Sequence, residues 1–324
     1  MRSVGRGIAA VSILCCLASS LAGQQAYPTK TITLVVPFPP GGTTDLLGRM
    51  VAEQLRTALG ATVVVENKPG AATTLAAGQV ARADADGHTL MIATSTTLAI
   101  NKTLYKKLPY DPVADFTPIA LVAGVPFALV VSPSLPVATL KDFVDYAKAR
   151  PGALTYGSPG VGSPHHLGAE MLKTMAGIDM KHVVYRGSVP AMNDVIGGHI
   201  PLMIMDLQPA LPLIRDGKLK ALAVTTANRV AAAPEIPTFA EQGFVGYEVV
   251  AWQGIIAAGK IPPGITDRLA AEINAVFTAP ATRERLVAIA LEPLASTPAG
   301  FASYVKSEID RWAVIVKASG ATAE

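Results

Sequence analysis

Two short segments constrain this chain more than anything else in it. The first is Val35-Val36-Pro37-Phe38-Pro39-Pro40-Gly41-Gly42-Thr43-Thr44-Asp45. The second is Leu154-Thr155-Tyr156-Gly157-Ser158-Pro159-Gly160-Val161-Gly162-Ser163-Pro164-His165-His166. Each reads as a strand, a loop rich in Gly, Pro, Ser or Thr, and the start of a helix. A helix start presents unpaired backbone N–H groups and the positive end of a dipole, so it receives anions readily. Neither loop holds a Lys or Arg. The pair therefore suggests that a small carboxylate is held by backbone and hydroxyl donors, with no chemistry attached.

The rest of the chain supplies the frame for two such units. Strand patterns rich in β-branched residues fall at 31–38, 61–66, 89–94, 119–123, 128–132, 154–157, 182–185, 200–205 and 219–225. Several are apolar on consecutive positions, as strands covered on both faces are. Helical patterns alternate with them. Residues 43–58 place Leu46, Leu47, Met50, Val51 and Leu55 on one face. Thr139-Leu140-Lys141-Asp142 opens 139–149 with a capping box. Phe301, Tyr304, Val305, Ile309, Trp312 and Val316 recur at helical spacing near the end. Alternation of this kind predicts an α/β fold with open, mostly parallel sheets flanked by helices. Ligands of such sheets lie beyond the carboxyl ends of the strands, where both loops fall. The loops are about 120 residues apart, so one per lobe would make them face each other across a cleft. Ala123 to Phe127 is a candidate crossing and Tyr247 to Gly254 a candidate return. That gives a discontinuous first lobe over 27–124 plus 247–324 and a second over 125–246.

With 324 residues, 50% of them hydrophobic, the chain can bury two cores of ordinary size. Residues 1–22 read as a secretory leader. Arg2 and Arg6 are followed by an apolar stretch from Gly7 to Ala18 and small residues up to a cleavage point after Ala22. An uncleaved anchor and a lipidated Cys15 or Cys16 are the alternatives; Ser12-Ile13-Leu14 is a poor lipidation signal. Both cysteines leave with the leader, which excludes disulfide, thiolate-metal and cysteine-nucleophile chemistry from the mature chain and fits a periplasmic location. The formal charge of +3 loses Arg2 and Arg6 and becomes +1. That balance argues against nucleic acid or an anionic membrane as partner. No later apolar run reaches the length of a membrane span.

Enzymatic patterns fail one by one. Ser158 and Ser163 lack the Gly-x-Ser-x-Gly nucleophile elbow. His165 and His166 are neighbours rather than i, i+4 partners, which disfavours a metal site; one of them belongs to the ligand loop and the other packs or faces solvent. No Gly-Lys-Ser/Thr follows Gly41-Gly42 or Gly160-x-Gly162, and the third glycine of a dinucleotide fingerprint would fall at His165. No cofactor is expected. Asp206 either faces the cleft or caps the next helix. Thr94, Ser95, Thr96 and Thr97 line the cleft or cap the helix that follows. Arg186 pairs with an acid or reaches an outer carboxylate of the ligand. Phe38, Pro39, Pro40, Phe127 and Trp252 form apolar walls or hinge packing.

Seven ordered segments resemble one known group. They are Phe38 to Asp45; Val65-Glu66-Asn67-Lys68-Pro69-Gly70; Lys106 to Pro112 with Asp115-Phe116-Thr117-Pro118; Gly168 to Met175 ahead of Ala176-Gly177; Val184-Tyr185-Arg186-Gly187-Ser188; Gly217 to Thr225; and Val316 to Ala321. Together they resemble the Bug family, the solute receptors of tripartite tricarboxylate transporters, over essentially all of the mature chain. The resemblance implies a two-lobed type II periplasmic binding protein that closes by hinge motion on a small carboxylate, often a dicarboxylate or an aromatic acid. It implies membrane subunits as partners and a monomer in solution, with a sensing receptor or, more remotely, a secreted hydrolase as alternatives. The expected ligand-binding residues are Phe38, Pro40, Gly41, Gly42, Thr43, Asp45, Thr94, Ser95, Ser158, Gly160, Gly162, Ser163, His166, Arg186 and Asp206. Two departures stand near the cleft: Thr73-Thr74 where the family usually has glycines and a small polar residue, and Pro164-His165 ahead of the His that matches His166.

Overall fold

The structure is a computed structural model whose described residues are 27–323; the leader expected over 1–22 lies outside them. The chain begins with strand β1 (Ile32–Val36), helix α1 (Thr43–Leu59), β2 (Val63–Asn67), a 3₁₀ turn (Ala71–Thr73), α2 (Thr74–Val80) and β3 (Thr89–Thr94). A π-helical turn (Thr96–Ile100) runs into α3 (Asn101–Leu104). Strand β4 (Phe116–Val131) crosses to the second lobe. It is followed by α4 (Leu140–Lys148), β5 (Leu154–Ser158), α5 (Pro164–Ala176), β6 (Met180–Val184), α6 (Ser188–Ile196), β7 (Leu202–Asp206), α7 (Leu207–Arg215) and β8 (Lys220–Val224). Strand β9 (Val250–Ala258) returns to the first lobe. Helices α8 (Pro263–Thr278) and α9 (Pro280–Ala288), β10 (Glu292–Pro293) and α10 (Pro298–Ser319) finish the chain.

The strands lie in the order β2-β1-β3-β9-β4-β7-β5-β6, with β8 and β10 also paired to β4. The pairs β1–β2, β1–β3, β5–β6 and β5–β7 are parallel. Every pair made by β4 or β9 is antiparallel. The sheet is therefore mixed rather than mostly parallel. The reason is connectivity: one strand carries the chain out of the first lobe and another carries it back, so these two must run in opposite directions. Strand β4 also unites the two runs expected at 119–123 and 128–132. It pairs with β9 as far as Pro126 and with β7 from Phe127 onward, so the change of lobe happens inside one unbroken strand.

That point is tied to the return. Thr225, fully buried just after β8, takes the Phe127 amide on its hydroxyl at 3.2 Å. The same hydroxyl lies 2.6 Å from the Val249 carbonyl, to which it donates. The Val249 amide in turn donates to the Thr225 carbonyl at 3.1 Å. Helix α10 is held to β9 by a buried carboxylate. Glu308 Oε2 accepts from Trp252 Nε1 at 2.6 Å and Trp312 Nε1 at 2.9 Å, while Oε1 accepts from Arg311 Nε at 2.7 Å. A buried charge is stable only when its lone pairs are filled in this way. The local expectations for helices hold: Thr139 and Asp142 form a capping box on α4, and α1 buries Leu47, Val51 and Leu55.

Candidate functional site

Both opening loops reach the cleft between the lobes, by different residues. A cavity of about 630 Å³, counting its open mouth, lies there. Phe38, Pro39, Gly42, Thr43 and Thr44 line it from the β1–α1 loop, and Thr94, Ser95 and Thr96 from the end of β3. Pro164 and His165 open α5 on the far wall, Gly187 to Pro190 open α6, and Asp206 ends β7. Val125, Phe127, Ala251 and Gln253, from the crossing strands and their neighbourhood, complete the lining. The N-termini of α1, α5 and α6 thus converge on one space, each with its positive dipole end; α5 opens with Pro164, which has no N–H, and Ser163 caps its His166 amide.

The lobes touch across this space. Thr43 Oγ1 donates to Asp206 Oδ2 at 2.7 Å. Gly187 packs so close to Pro39 that a Cβ there would sit 3.1 Å from its ring. Among the described residues lining the cavity there is no Lys or Arg. Several polar atoms there lack partners: Ser95 Oγ, both ring nitrogens of His165, and Gln253 Oε1 are buried without a hydrogen bond. His165 Nε2 lies 2.9 Å from Asp206 Oδ1 but without the alignment of a hydrogen bond. Buried polar groups are nearly always satisfied, so such a concentration at a cavity wall is what a polar ligand would fill.

Six of the expected residues line this cavity: Phe38, Gly42, Thr43, Thr94, Ser95 and Asp206. Asp206 stands at the N-cap of α7 but makes no side-chain cap; its carboxylate serves the cleft. Thr97 turns inward to Thr73 Oγ1 at 3.0 Å. Of the apolar candidates, Phe38, Pro39 and Phe127 line the cavity, whereas Trp252 packs on Phe301 and Glu308.

The remaining expected residues stand elsewhere. Pro40 and Gly41 are exposed at the loop tip. Asp45 faces back under that loop, accepting from the Gly41 amide, Arg49 Nε and Asn67 Nδ2 at 2.9 to 3.0 Å. Burial pushes the Asp45 carboxyl up, but the hydrogen bonds from Arg49, Asn67 and Gly41 outweigh it and hold the group below the ordinary carboxylate value.

Ser158 is fully buried. Its hydroxyl lies 3.0 Å from the Gly160 carbonyl and shares a hydrogen bond with His182 Nε2 at 2.6 Å. Ser163 caps α5, accepting from the His166 amide at 3.2 Å. His166 does not reach the cavity. Its Nδ1 accepts from the Gly162 amide at 3.2 Å, and its ring stacks on His182 with centroids 4.2 Å apart, Tyr156 lying beyond. Burial lowers the pKa of His166. Burial, with the neighbouring His166 ring second, lowers His182 to about 4. Gly162 abuts Leu104 of the other lobe.

Gly160 and the exposed Arg186 line a second, outer cavity with Tyr105 and the 69–73 turn. In that turn Ala71, Ala72 and Thr73 all take left-handed φ, at 45°, 46° and 74°. The non-glycine residues of this chain therefore hold a conformation that favours glycine.

His165, Gln253, Thr44 and the α6 start were not among the expected residues. The sequence did carry a signal for α6, in Gly187-Ser188 directly after a strand pattern. It carried none for Gln253, a single polar residue in a buried strand.

Comparison with known proteins agrees with this geometry. The model of the tripartite tricarboxylate transporter family receptor, TctC, matches residues 47–321. Protein BugT of Bordetella pertussis is 34% identical over 298 residues, covering 92% of this chain and 91% of that protein. The structure of Rpa4515 of R. palustris with adipate superposes with a TM-score of 0.89 at 38% identity, over 91% of this chain and 99% of that one. The structure of the periplasmic binding protein BugD superposes with a TM-score of 0.87 at 34% identity, over 92% of this chain and 100% of that one. The matching family is one of transporter receptors, not of enzymes, and Ser158 is buried away from the cavity. A two-lobed frame, a cleft walled by helix N-termini and a family match over most of its length lead to one conclusion: this chain belongs to the tripartite tricarboxylate transporter receptor family, among the Bug-type periplasmic binding proteins.

Proposed function

We propose that this protein captures a small organic carboxylate in the periplasm and delivers it to the membrane subunits of a tripartite tricarboxylate-type transporter. The observation that carries this reading is the set of unpartnered buried polar atoms at a cavity where three helix N-termini meet. A carboxylate placed there accepts from the free N–H groups of α1 and α6 and from the hydroxyls of Ser95 and Ser188, the Thr43 hydroxyl being already given to Asp206. Such charge-assisted bonds are worth roughly twice neutral ones, and Phe38 and Phe127 bury the carbon chain. Micromolar affinity asks for about −8 kcal/mol, within reach of several such bonds plus apolar burial.

Closure turns on the place where β4 changes partners and on the 225–249 connection, with Thr225 between them. The open form presents each half-site to solvent, and the ligand draws the second lobe onto the first. That Rpa4515 was solved with adipate supports a carboxylate of this size. A thermal-shift screen of mono- and dicarboxylates, followed by calorimetry, tests the reading. At least one small carboxylate should raise the melting temperature and bind with a dissociation constant near or below micromolar, since a ligand of the folded state stabilises it. A screen in which neutral or cationic solutes bind and carboxylates do not would overturn it.

A further inference from the structure

The cavity contains a carboxylate of its own, and among the described residues that line it there is no Lys or Arg. Asp206 Oδ2 is engaged by the Thr43 hydroxyl at 2.7 Å. Oδ1 has only His165 Nε2 at 2.9 Å, out of line for a hydrogen bond. Gln253 adds a second acceptor: its Nε2 donates to Thr44 Oγ1 at 2.9 Å, which leaves Oε1 buried and unpaired toward the same space. An unsubstituted carboxylic acid at neutral pH offers acceptors only. Placed here it would leave the buried Gln253 Oε1 without a donor and take water from the Asp206 Oδ1 that faces the cavity, and an acceptor left unpaired on burial costs more than a made bond returns. Its second carboxylate, if it had one, would also meet the Asp206 carboxylate, with no Lys or Arg in the lining to pair with it.

We propose that Asp206, with Gln253, selects an organic acid that carries a hydroxyl or amino donor close to its carboxylate. The proposal rests on the carboxylate-receptor reading above and narrows it. Proximity follows from Thr43. It is the first residue of α1, where the ligand's carboxylate is received, and its own hydroxyl touches Asp206, so the two subsites are adjacent. The ligand's carboxylate lies at the helix ends, and an O–H or N–H on the next carbon or the one after donates to Asp206 Oδ1 or Gln253 Oε1. Exclusion of the plain acid comes from the same two atoms. A site that hydrogen-bonds a substituent discriminates strongly against the analogue lacking it.

The experiment is calorimetry on the full mature protein at pH 7 with matched pairs of acids: succinate and malate, adipate and 2-hydroxyadipate, propionate and lactate, phenylacetate and mandelate. In every pair that binds, the donor-bearing acid should bind at least tenfold more tightly. Asp206→Asn keeps an oxygen for the Thr43 hydroxyl, removes the charge and adds an N–H donor. It should shrink that ratio to within about threefold, chiefly by tightening the unsubstituted acid. Equal or tighter binding of the unsubstituted member by the unaltered protein overturns the inference and leaves the receptor reading intact. An unchanged ratio in Asp206→Asn, folded by circular dichroism, also overturns it. Should that variant not fold, the ratios of the unaltered protein decide alone. Failure of every acid in the panel to bind overturns the selectivity together with the receptor reading.

Discussion

The β1–α1 and β5–α5 loops begin from the same local pattern and end in different work. In the first lobe the loop lies open to the cavity. Gly42 there has no atom within 4 Å of where a Cβ would stand, and the loop is held from beneath by the charged Asp45 and its donors. In the second lobe the loop is turned inward. Ser158, Gly162 and His166 are spent on a neutral stack with His182 and Tyr156 and on a contact with Leu104. Only Pro164 and His165 reach the cavity, and the start of α6 supplies what the loop does not. A glycine loop before a helix thus signals a bend that exposes N–H groups. It does not say which side of the bend the ligand meets. The polar residue that stands out in each loop, Asp45 or His166, is the one that holds the loop in place.

The largest contrast should come from placing the same residue in each loop. Gly42→Glu projects a carboxylate into open cavity space from a φ of −89° that any residue adopts. Ligand affinity should fall by more than about 100-fold, or about 2.7 kcal/mol, while the melting temperature stays within about 2 °C. Gly162→Glu meets a φ of +74° and Leu104 carbons closer than any real contact. It should cost about 2–4 kcal/mol of stability, with binding lost as a consequence. Calorimetry and urea denaturation on both variants would dissolve the contrast if Gly162→Glu proved as stable as the parent, or if Gly42→Glu still bound.

Acid should separate the two anchors next. A histidine whose folded pKa is lowered takes up its proton more readily in the unfolded chain. Its contribution is therefore whole above the unfolded value of 6.5 and is lost as the pH falls toward the folded value, about 4 for His182. With solvent screening of this half-buried ring allowed for, the loss should be about 2 kcal/mol between pH 6.5 and 4, and His166, shifted the same way, adds to it. Asp45 behaves oppositely. Its depressed pKa keeps the first loop's anchor charged through that whole window, its contribution being lost only below the ordinary carboxylate range. Urea midpoints measured between pH 7 and 4 should fall in the parent and flatten in His182→Gln; a slope identical in the two would place the acid sensitivity elsewhere.

The parts of this molecule written in short-range pattern were legible without coordinates. The strand–loop–helix units, the capping box at Thr139 and the α1 stripe all depend on residues within a few positions of one another. Joining 119–123 to 128–132 as one strand was not legible, because Gly124 and Pro126 read as a break. Pairing with β9 on one side and β7 on the other keeps the strand extended through them. Gln253 was hidden for a similar reason: its role comes from Thr44, 209 residues away. The choice between His165 and His166 turned on helix phase. Adjacent residues at a helix start point about 100° apart, and which one faces the cleft depends on how α5 is tilted against β7, a matter of long-range packing.

That choice supplies the finest test of the comparison. Asparagine carries an oxygen close to where the Nδ1 of histidine lies, so His→Asn keeps an acceptor and removes the ring. At position 166 the Gly162 amide retains a partner, and what is lost is the stack on His182, about 1 kcal/mol; ligand affinity should change less than twofold. At position 165 the ring that leaves is part of the cavity wall, edge-on to Phe127 with centroids 4.8 Å apart. Affinity should weaken about three- to tenfold, the worth of one contact of about 1 kcal/mol, while less stability is lost than at 166. The two measurements, a dissociation constant and a urea midpoint, need only be compared between neighbours in sequence. If His166→Asn weakened binding and His165→Asn did not, the second loop would be presenting the same face to the ligand as the first, and the asymmetry between the lobes would vanish.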